Sequence, residues 1–472
     1  MINTILKALT DALNVSVGFL YSWVLLFLLV GVGVYLTFFL NFPQFRNIKD
    51  IFTSLNGSRT SSGTGMSSFQ AFTIGVGTRV GVGNIIGVAL ALILGGPGAI
   101  FWMWVVALLG MSTSYAESVL AQVFKVRQAD GTFRGGPADY MTRGLGWKLP
   151  ATLFAVFAVI ATGLAVPMVQ VNTISATLET SHNIPTWASM LLMFTLLAPV
   201  ILGGMRSIAR VSEFLAPFMA GAYLLITVVV IALHPQAAWN ALVLILESAF
   251  GFGPVSGGIV GGVFTALVNG VRRGLFSNEA GLGTTPHVAG SATVLHPAEQ
   301  GWVQSLGVFV DTMIVCTTTA LLILVSGVYH PGLEAEAAGG LTAVAVTTVL
   351  GDWMALPVSF IILIFGYTSA YGAYYYGQVA LSHLTSSKPV VWIFRAVSVV
   401  VASSGAMVAL PTAWALSDLL LGLGALINLT AVILLAKYAR LVLHDWNKRK
   451  SEGRTLVFDA SIYPELKDVY QG

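Results

Sequence analysis

The stretch Gly77-Thr78-Arg79-Val80-Gly81-Val82-Gly83-Asn84 has the residue types and spacing that could do the most chemistry in this chain. It lies inside an apolar run, Phe69–Gly95, that also holds Gly75 and Gly87. Each glycine costs about 1 kcal/mol of helix propensity against alanine, so the cluster makes local unwinding cheap. In hydrocarbon, unwound backbone persists only where its polar groups find partners in protein, water or ligand. Freed carbonyls suit a hard cation such as sodium. Freed N–H groups at the start of the next half-helix, aided by its dipole, suit a carboxylate. Close helix packing through small residues is the alternative; it accounts for the glycines but not for Arg79 and Asn84. A dinucleotide loop fails, because no strand, βαβ unit or acidic ribose partner accompanies the glycines.

A second run, Gly257–Gly283, repeats the pattern with Gly270, Arg272, Arg273, Gly274, Ser277, Asn278, Glu279 and Gly281. The same reasoning expects a break across Gly270–Gly274. Arg79, Glu117, Arg272, Arg273, Glu279 and Asp311 all fall in apolar surroundings, where a charge must be paired or wetted. They read as structural or gating charges that lock the broken helices, with direct contact to a ligand or ion as the alternative. The single cysteine, Cys316, rules out an internal disulfide and reads as core packing. His287 and His296 are expected in a solvated cytoplasmic loop. Their spacing fits no metal motif and the chain holds no H-E-x-x-H sequence. With no recognisable nucleophile–base pair either, neither an enzyme nor a bound cofactor is expected.

The elements that hold these residues are built for lipid. Of 472 residues, 56% are hydrophobic and 9% charged, against about 25% charged in soluble domains. No basic cluster is interleaved with aromatics, so nucleic acid is not an expected partner. The N-terminus reads poorly as a cleavable signal, since Lys7 is its only basic residue and the apolar stretch that follows runs long. Apolar segments run over about 16–41, 68–95, 97–124, 150–177, 186–204, 213–233, 256–284, 301–329, 355–385, 389–410 and 412–442. At about 20 residues per crossing these are eleven candidate spans. Segments near 236–252 and 338–352 are shorter and read as half-helices or interfacial helices.

Lys and Arg placement orients the chain. Arg46, Lys49, Arg59, Lys125, Arg127, Arg134, Arg143, Lys148, Arg206, Arg210, Lys388 and a tail from Lys437 to Lys467 fall on one side. The links of the other parity carry acids such as Glu179, Glu247 and Glu334, and only Lys7 is basic there. The expectation is a multi-pass plasma-membrane protein with its N-terminus outside and C-terminus cytoplasmic. Each glycine-broken span opens a run of five, and five is odd, so the second run enters with opposite polarity. That is an inverted repeat with a site where two discontinuous helices meet. The expected divisions are 1–67, an extra helix and its link; 68–233, the first repeat; 234–255, an extracellular amphipathic segment; 256–445, the second repeat; and 446–472, a cytoplasmic tail.

Longer motifs make the pattern specific. Phe69-Gln70-Ala71, Arg79-Val80-Gly81, Gly83-Asn84-Ile85, Gly95-Gly96-Pro97-Gly98-Ala99 and Phe101-Trp102-Met103-Trp104 resemble the alanine or glycine:cation symporter family. So do Arg273 through Gly281, His296-Pro297, Glu299-Gln300-Gly301 and Asp311-Thr312, and the likeness spans roughly 15–445. The resemblance implies an all-α membrane protein with a LeuT-type five-plus-five inverted repeat plus one extra N-terminal helix. It implies symport of a small neutral amino acid with sodium as the coupling ion.

By the same resemblance, the backbone of Gly77 and Val80 would face Thr368 and Ser369 around sodium, although those hydroxyls could instead bond their own helix turn. Substrate would lie against Thr78, Gly81, Asn84 and Gln170, with an interhelical amide bond the alternative for Gln170. Phe264 and Asn269 are further pocket candidates, and for Phe264 core packing is the alternative. Where family members usually carry Trp and Glu, this chain has Ala373 and Gln378. If Ala373 borders the substrate, the missing indole leaves room for a side chain larger than methyl, unless Tyr374 or Tyr375 refills it. Proton coupling on the same fold, or an amino-acid-gated channel or sensor, are the rival readings.

Overall fold

The computed structural model describes residues 13, 15–55, 65–128, 131–251, 259–408, 410–467 and 469–471. Lys7 and Arg59 of the charge pattern, and the end of the 234–255 segment, lie outside the described residues. The described chain is helical almost throughout, with a single two-stranded antiparallel ribbon, β1 (Val126–Arg127) and β2 (Phe133–Arg134).

Besides two short helical turns at Pro43–Arg46 and Ile48–Thr53, the main helices in chain order are α1 (Val15–Phe39), α2 (Ser68–Arg79), α3 (Ile86–Gly95), α4 (Gly98–Val123), α5 (Pro137–Leu145), α6 (Lys148–His182), α7 (Thr186–Leu202) and α8 (Met205–Leu233). There follow α9 (Pro235–Ala249), α10 (Ile259–Asn278), α11 (Pro286–Ser291), α12 (Pro297–Val325), α13 (Ala338–Leu350), α14 (Asp352–Leu384), α15 (Lys388–Met407) and α16 (Leu410–Ser451). Eight of these are long and apolar enough to cross a membrane, and α2 with α3 makes a ninth crossing bent by 52°. The 17-residue α7 is apolar but short, and the 20-residue α10 carries both Arg272 and Arg273. The chain is a multi-pass membrane protein.

Local chemistry fixes several helix starts. Ser67 accepts from the Gln70 N–H at 3.1 Å while Gln70 Oε1 accepts from the Ser67 N–H at 3.2 Å, a reciprocal cap that begins α2. Proline opens α5, α9, α11 and α12, where its missing N–H costs nothing.

The expected break across Gly270–Gly274 is corrected: α10 runs unbroken through both glycines. They serve as a packing face instead. A Cβ on Gly270 would stand 2.7 Å from Trp102 Cβ and against the Ala99 carbonyl, and one on Gly274 would sit 3.4 Å from Met103 Cα. Absent side chains let α10 lie directly on α4.

The chain leaves helix later, at Asn278. It turns through Glu279, Gly281 and Gly283 at φ of 59°, 88° and 76°, and becomes helical again at Pro286. Two discontinuities are therefore present, the second several residues beyond its expected place.

His287 and His296 are likewise not solvated; both are buried. His287 lies between the rings of Phe154 and Tyr376. His296 is roofed by the segment after α16: Phe458 N–H donates to the Leu295 carbonyl at 2.9 Å, and the Phe458 and Trp446 rings flank the imidazole. Burial drives the His296 imidazole down to about 4.

Candidate functional site

At the first break the backbone donors turn away from the helix. Gly81 N–H gives to the Arg79 carbonyl and to Asn84 Oδ1, Val82 N–H to Gln170 Oε1 at 3.1 Å, and Asn84 N–H to the Gly81 carbonyl. In a continuous helix these three amides would serve the carbonyls of Gly77, Thr78 and Val80. Ser369 supplies the replacement for Thr78, donating its hydroxyl at 2.6 Å. Thr368 faces Gly77, with its Cβ 3.7 Å from where a Gly77 Cβ would be. Its hydroxyl donates to the Phe365 carbonyl of its own turn at 3.1 Å. Of the four residues named for a cation, Gly77 faces Thr368, and Ser369 bonds the neighbouring Thr78 carbonyl. The carbonyls of Gly77 and Val80 are released from helical pairing, while the Thr368 hydroxyl serves its own helix turn.

Asn84 is held on the far side of the break. Its amide donates to Asp311 Oδ1 at 2.7 Å and approaches Cys316 Sγ at 3.3 Å. Ser277 and Thr312 donate to the other Asp311 oxygen at 2.7 and 2.9 Å. A buried carboxylate met by three neutral donors is well satisfied without a cation. Asp311, Thr312 and Cys316 all lie on a wide π-type turn of α12, Phe309–Cys316. A second such turn, Ala161–Ala165, lies in α6; these bulges recur at functional sites.

The two breaks are tied together by Arg79. Its guanidinium donates to the Thr285 hydroxyl at 2.8 Å, the Ser114 hydroxyl at 3.4 Å and the Gln304 carbonyl at 3.2 Å. Thr285 in turn donates to Glu279 at 3.3 Å, as does Thr284 at 3.1 Å. Glu117 accepts the Gly281 N–H at 3.1 Å and is also bonded by Asn428, whose amide reaches the Gly281 carbonyl and whose oxygen takes the Tyr140 hydroxyl. Arg272 pairs with Asp418 at 2.6 Å. Arg273 stacks over Trp414, its centre 5.0 Å from the ring.

Between the breaks lies a small cavity of about 20 Å³ lined mostly by buried residues, room for about one water. Of the named candidates, Thr78, Gln170, Ala373, Arg79, Glu279 and Ser369 line it. Phe276, Thr162, Val166 and Leu421 also form its wall and were not foreseen. Gly81 and Asn84 stand behind the wall. Phe264 and Asn269 are not brought to it: Phe264 is 43% exposed on α10, and Asn269 bonds the Thr265 carbonyl of its own turn. Both follow from the displaced second break, which puts Phe276 where residues near 264–269 were expected. Tyr374 stacks on Phe394 and bonds Gln378, and neither it nor Tyr375 lines the cavity.

A profile of the sodium:alanine symporter family matches residues 6–460. The chain belongs to that family. It is 38% identical over 456 residues to the amino-acid carrier protein AlsT of Bacillus subtilis, covering 97% of this chain and 96% of that one. Against "Probable sodium/glutamine symporter GlnT" of the same organism it is 38% identical over 454 residues, covering 96% and 94%. Against the sodium/alanine symporter AgcS of Methanococcus maripaludis it is 36% identical over 431 residues, covering 90% and 94%. Among solved structures, a manganese transporter of Eremococcus coleocola superposes with a TM-score of 0.51 at 16% identity over 88% of each chain, a likeness of fold alone. The sodium:alanine symporter family is one of transporters, not enzymes.

Proposed function

We propose that this protein imports a neutral amino acid together with sodium by alternating access. The observation that carries this reading is the break at Val80–Ile85, where released carbonyls, the Ser369 hydroxyl and Gln170 stand beside a small buried cavity. Gly77, Val80, Thr368 and Ser369 would bind sodium through oxygen, the ligand type a hard cation prefers. Thr78, Gln170 and Ala373 would meet the amino acid, with Gly81 and Asn84 shaping the break behind them. Several water volumes are needed for even a small amino acid, so binding requires the helices around the breaks to separate.

The architecture behind this reading is an eleven-span LeuT-type core. Repeats at 68–233 and 256–445 are related by inversion, each opened by a discontinuous helix, with the C-terminus cytoplasmic. The placement of breaks at α2–α3 and α10–α11 supports the symmetry.

Ala373 in the wall, with Tyr374 and Tyr375 turned elsewhere, favours a substrate larger than alanine, glutamine being within the chemistry of the relatives' names. Uptake of labelled glycine, alanine and glutamine into proteoliposomes, with sodium and proton gradients imposed separately, tests the whole reading. Sodium-driven uptake is expected, and Ala373→Trp is expected to shift preference toward glycine and alanine by at least tenfold. Uptake that ignores sodium and follows the proton gradient would favour a second reading, for which Glu117, Glu279 and Asp311 are buried outside any ion pair among the described residues.

A further inference from the structure

Between the foot of α1 and the last third of α16 lies a cavity of about 170 Å³, remote from the helix breaks. Arg46, Arg440 and His444 line it, with Asn41, Asn47 and Asn447, and no carboxylate is in its wall. Asp50, the neighbouring acid, is engaged by Lys450 at 2.5 Å and by the Asn47 amide at 2.8 Å. Among the described residues neither the Arg46 nor the Arg440 guanidinium has a hydrogen-bond or ion-pair partner. Arg440 lies over the Phe39 ring, 4.9 Å from its centroid, an arrangement that leaves its N–H edge available.

The backbone that forms the recess is preset. Asn41 and Phe42 are left-handed at φ of 60° and 56°, and the Phe42 N–H returns to the Thr37 carbonyl at 2.7 Å. Non-glycine residues adopt that conformation rarely, so the turn is specifically held. Around it Phe38, Phe42, Phe45 and Phe52 are exposed. An apolar, Phe-bearing surface beside Lys/Arg is the pattern of a segment lying where hydrocarbon meets headgroups, and clustered arginines are the groups that recognise phosphate.

We propose that this recess between α1 and α16 binds the phosphate of an anionic phospholipid headgroup, with the acyl chains along the exposed phenylalanines. Inorganic phosphate shares the charge but has no use for the aromatic surround.

Native mass spectrometry of the detergent-purified full chain, titrated with phosphatidylglycerol, phosphatidylcholine or inorganic phosphate, tests this. The expected result is retention of phosphatidylglycerol over phosphatidylcholine. That preference should weaken by about tenfold or more in the Arg46→Gln/Arg440→Gln variant and persist in Lys437→Gln, which removes an exposed charge elsewhere. Unchanged preference in the double variant, an equal loss in Lys437→Gln, or equal competition by inorganic phosphate would each overturn the proposal. Should the double variant not fold, Arg440→Lys keeps the charge but loses the planar fork. A several-fold weakening is then expected, and none would overturn the proposal.

Discussion

Ser369 gives its hydroxyl proton to the Thr78 carbonyl, which leaves its oxygen lone pairs facing the break. Removing that oxygen should cost a cation one ligand while sparing the apolar packing. Ser369→Ala is therefore expected to raise the sodium concentration for half-maximal uptake by about tenfold, with much smaller loss at saturating sodium. Uptake measured against sodium concentration decides it; an unshifted curve would remove Ser369 from the cation site. At this scale the first break was legible because Arg79 and Asn84 have no business in an apolar run unless something pairs with them. Asp418 and Asn428 were not singled out, although each is a polar residue inside the long apolar stretch of α16. Asp418 holds the Arg272 guanidinium, and Asn428 organises the turn at Gly281.

Glycine has two opposite uses along a helix, and spacing alone does not separate them. At Gly81 the missing Cβ admits Ser369 and Gln170, which would lie 2.6 and 3.0 Å from it, at a place where the helix ends. At Gly270 it admits α4 to the flank of a helix that continues. The two uses predict opposite signs for Gly270→Ala. A glycine kept for unwinding would give about 1 kcal/mol of helix propensity back. A packing glycine should lose about 1–3 kcal/mol to overcrowding. The structure predicts the loss, read as a lowered midpoint for thermal unfolding in detergent. The real signature of the second break was Glu279-Ala280-Gly281-Leu282-Gly283 followed by Pro286, a helix end and a helix restart in one short stretch. The π-type turns at Ala161 and Phe309 had no counterpart in composition, since they insert a residue without changing its type.

At the scale of the whole molecule, the segment beyond α16 closes over the loop before α12, and His296 records that closure. Its Nδ1 accepts the Ala298 N–H at 3.1 Å while Nε2 faces Asp445 at 3.0 Å, so one neutral tautomer satisfies both contacts. Protonation would set two donors against each other at Ala298. The folded imidazole is held down to about 4 against 6.5 when free, so the unfolded chain takes up the proton first. The stability from neutral His296 is complete above pH 6.5 and is lost as pH falls toward 4. Thermal midpoints of the unaltered chain and His296→Gln should therefore converge between those values; parallel curves would contradict it. The apolar segments, their order and the lipid-facing composition were readable in advance. Burial of both histidines was not, because the covering side chains are remote in sequence: Phe154 and Tyr376 for His287, Trp446 and Phe458 for His296.

Arg79 grips Thr285 and Gln304 from a helix end that is itself frayed. A single guanidinium so placed acts like an axle shared by two wheels: neither broken helix turns without the other. Motion at the two places should consequently share one rate. Hydrogen exchange at the Val82 and Gly281 amides should quicken together in Arg79→Gln, and a change confined to Val82 would mean that the axle carries no torque.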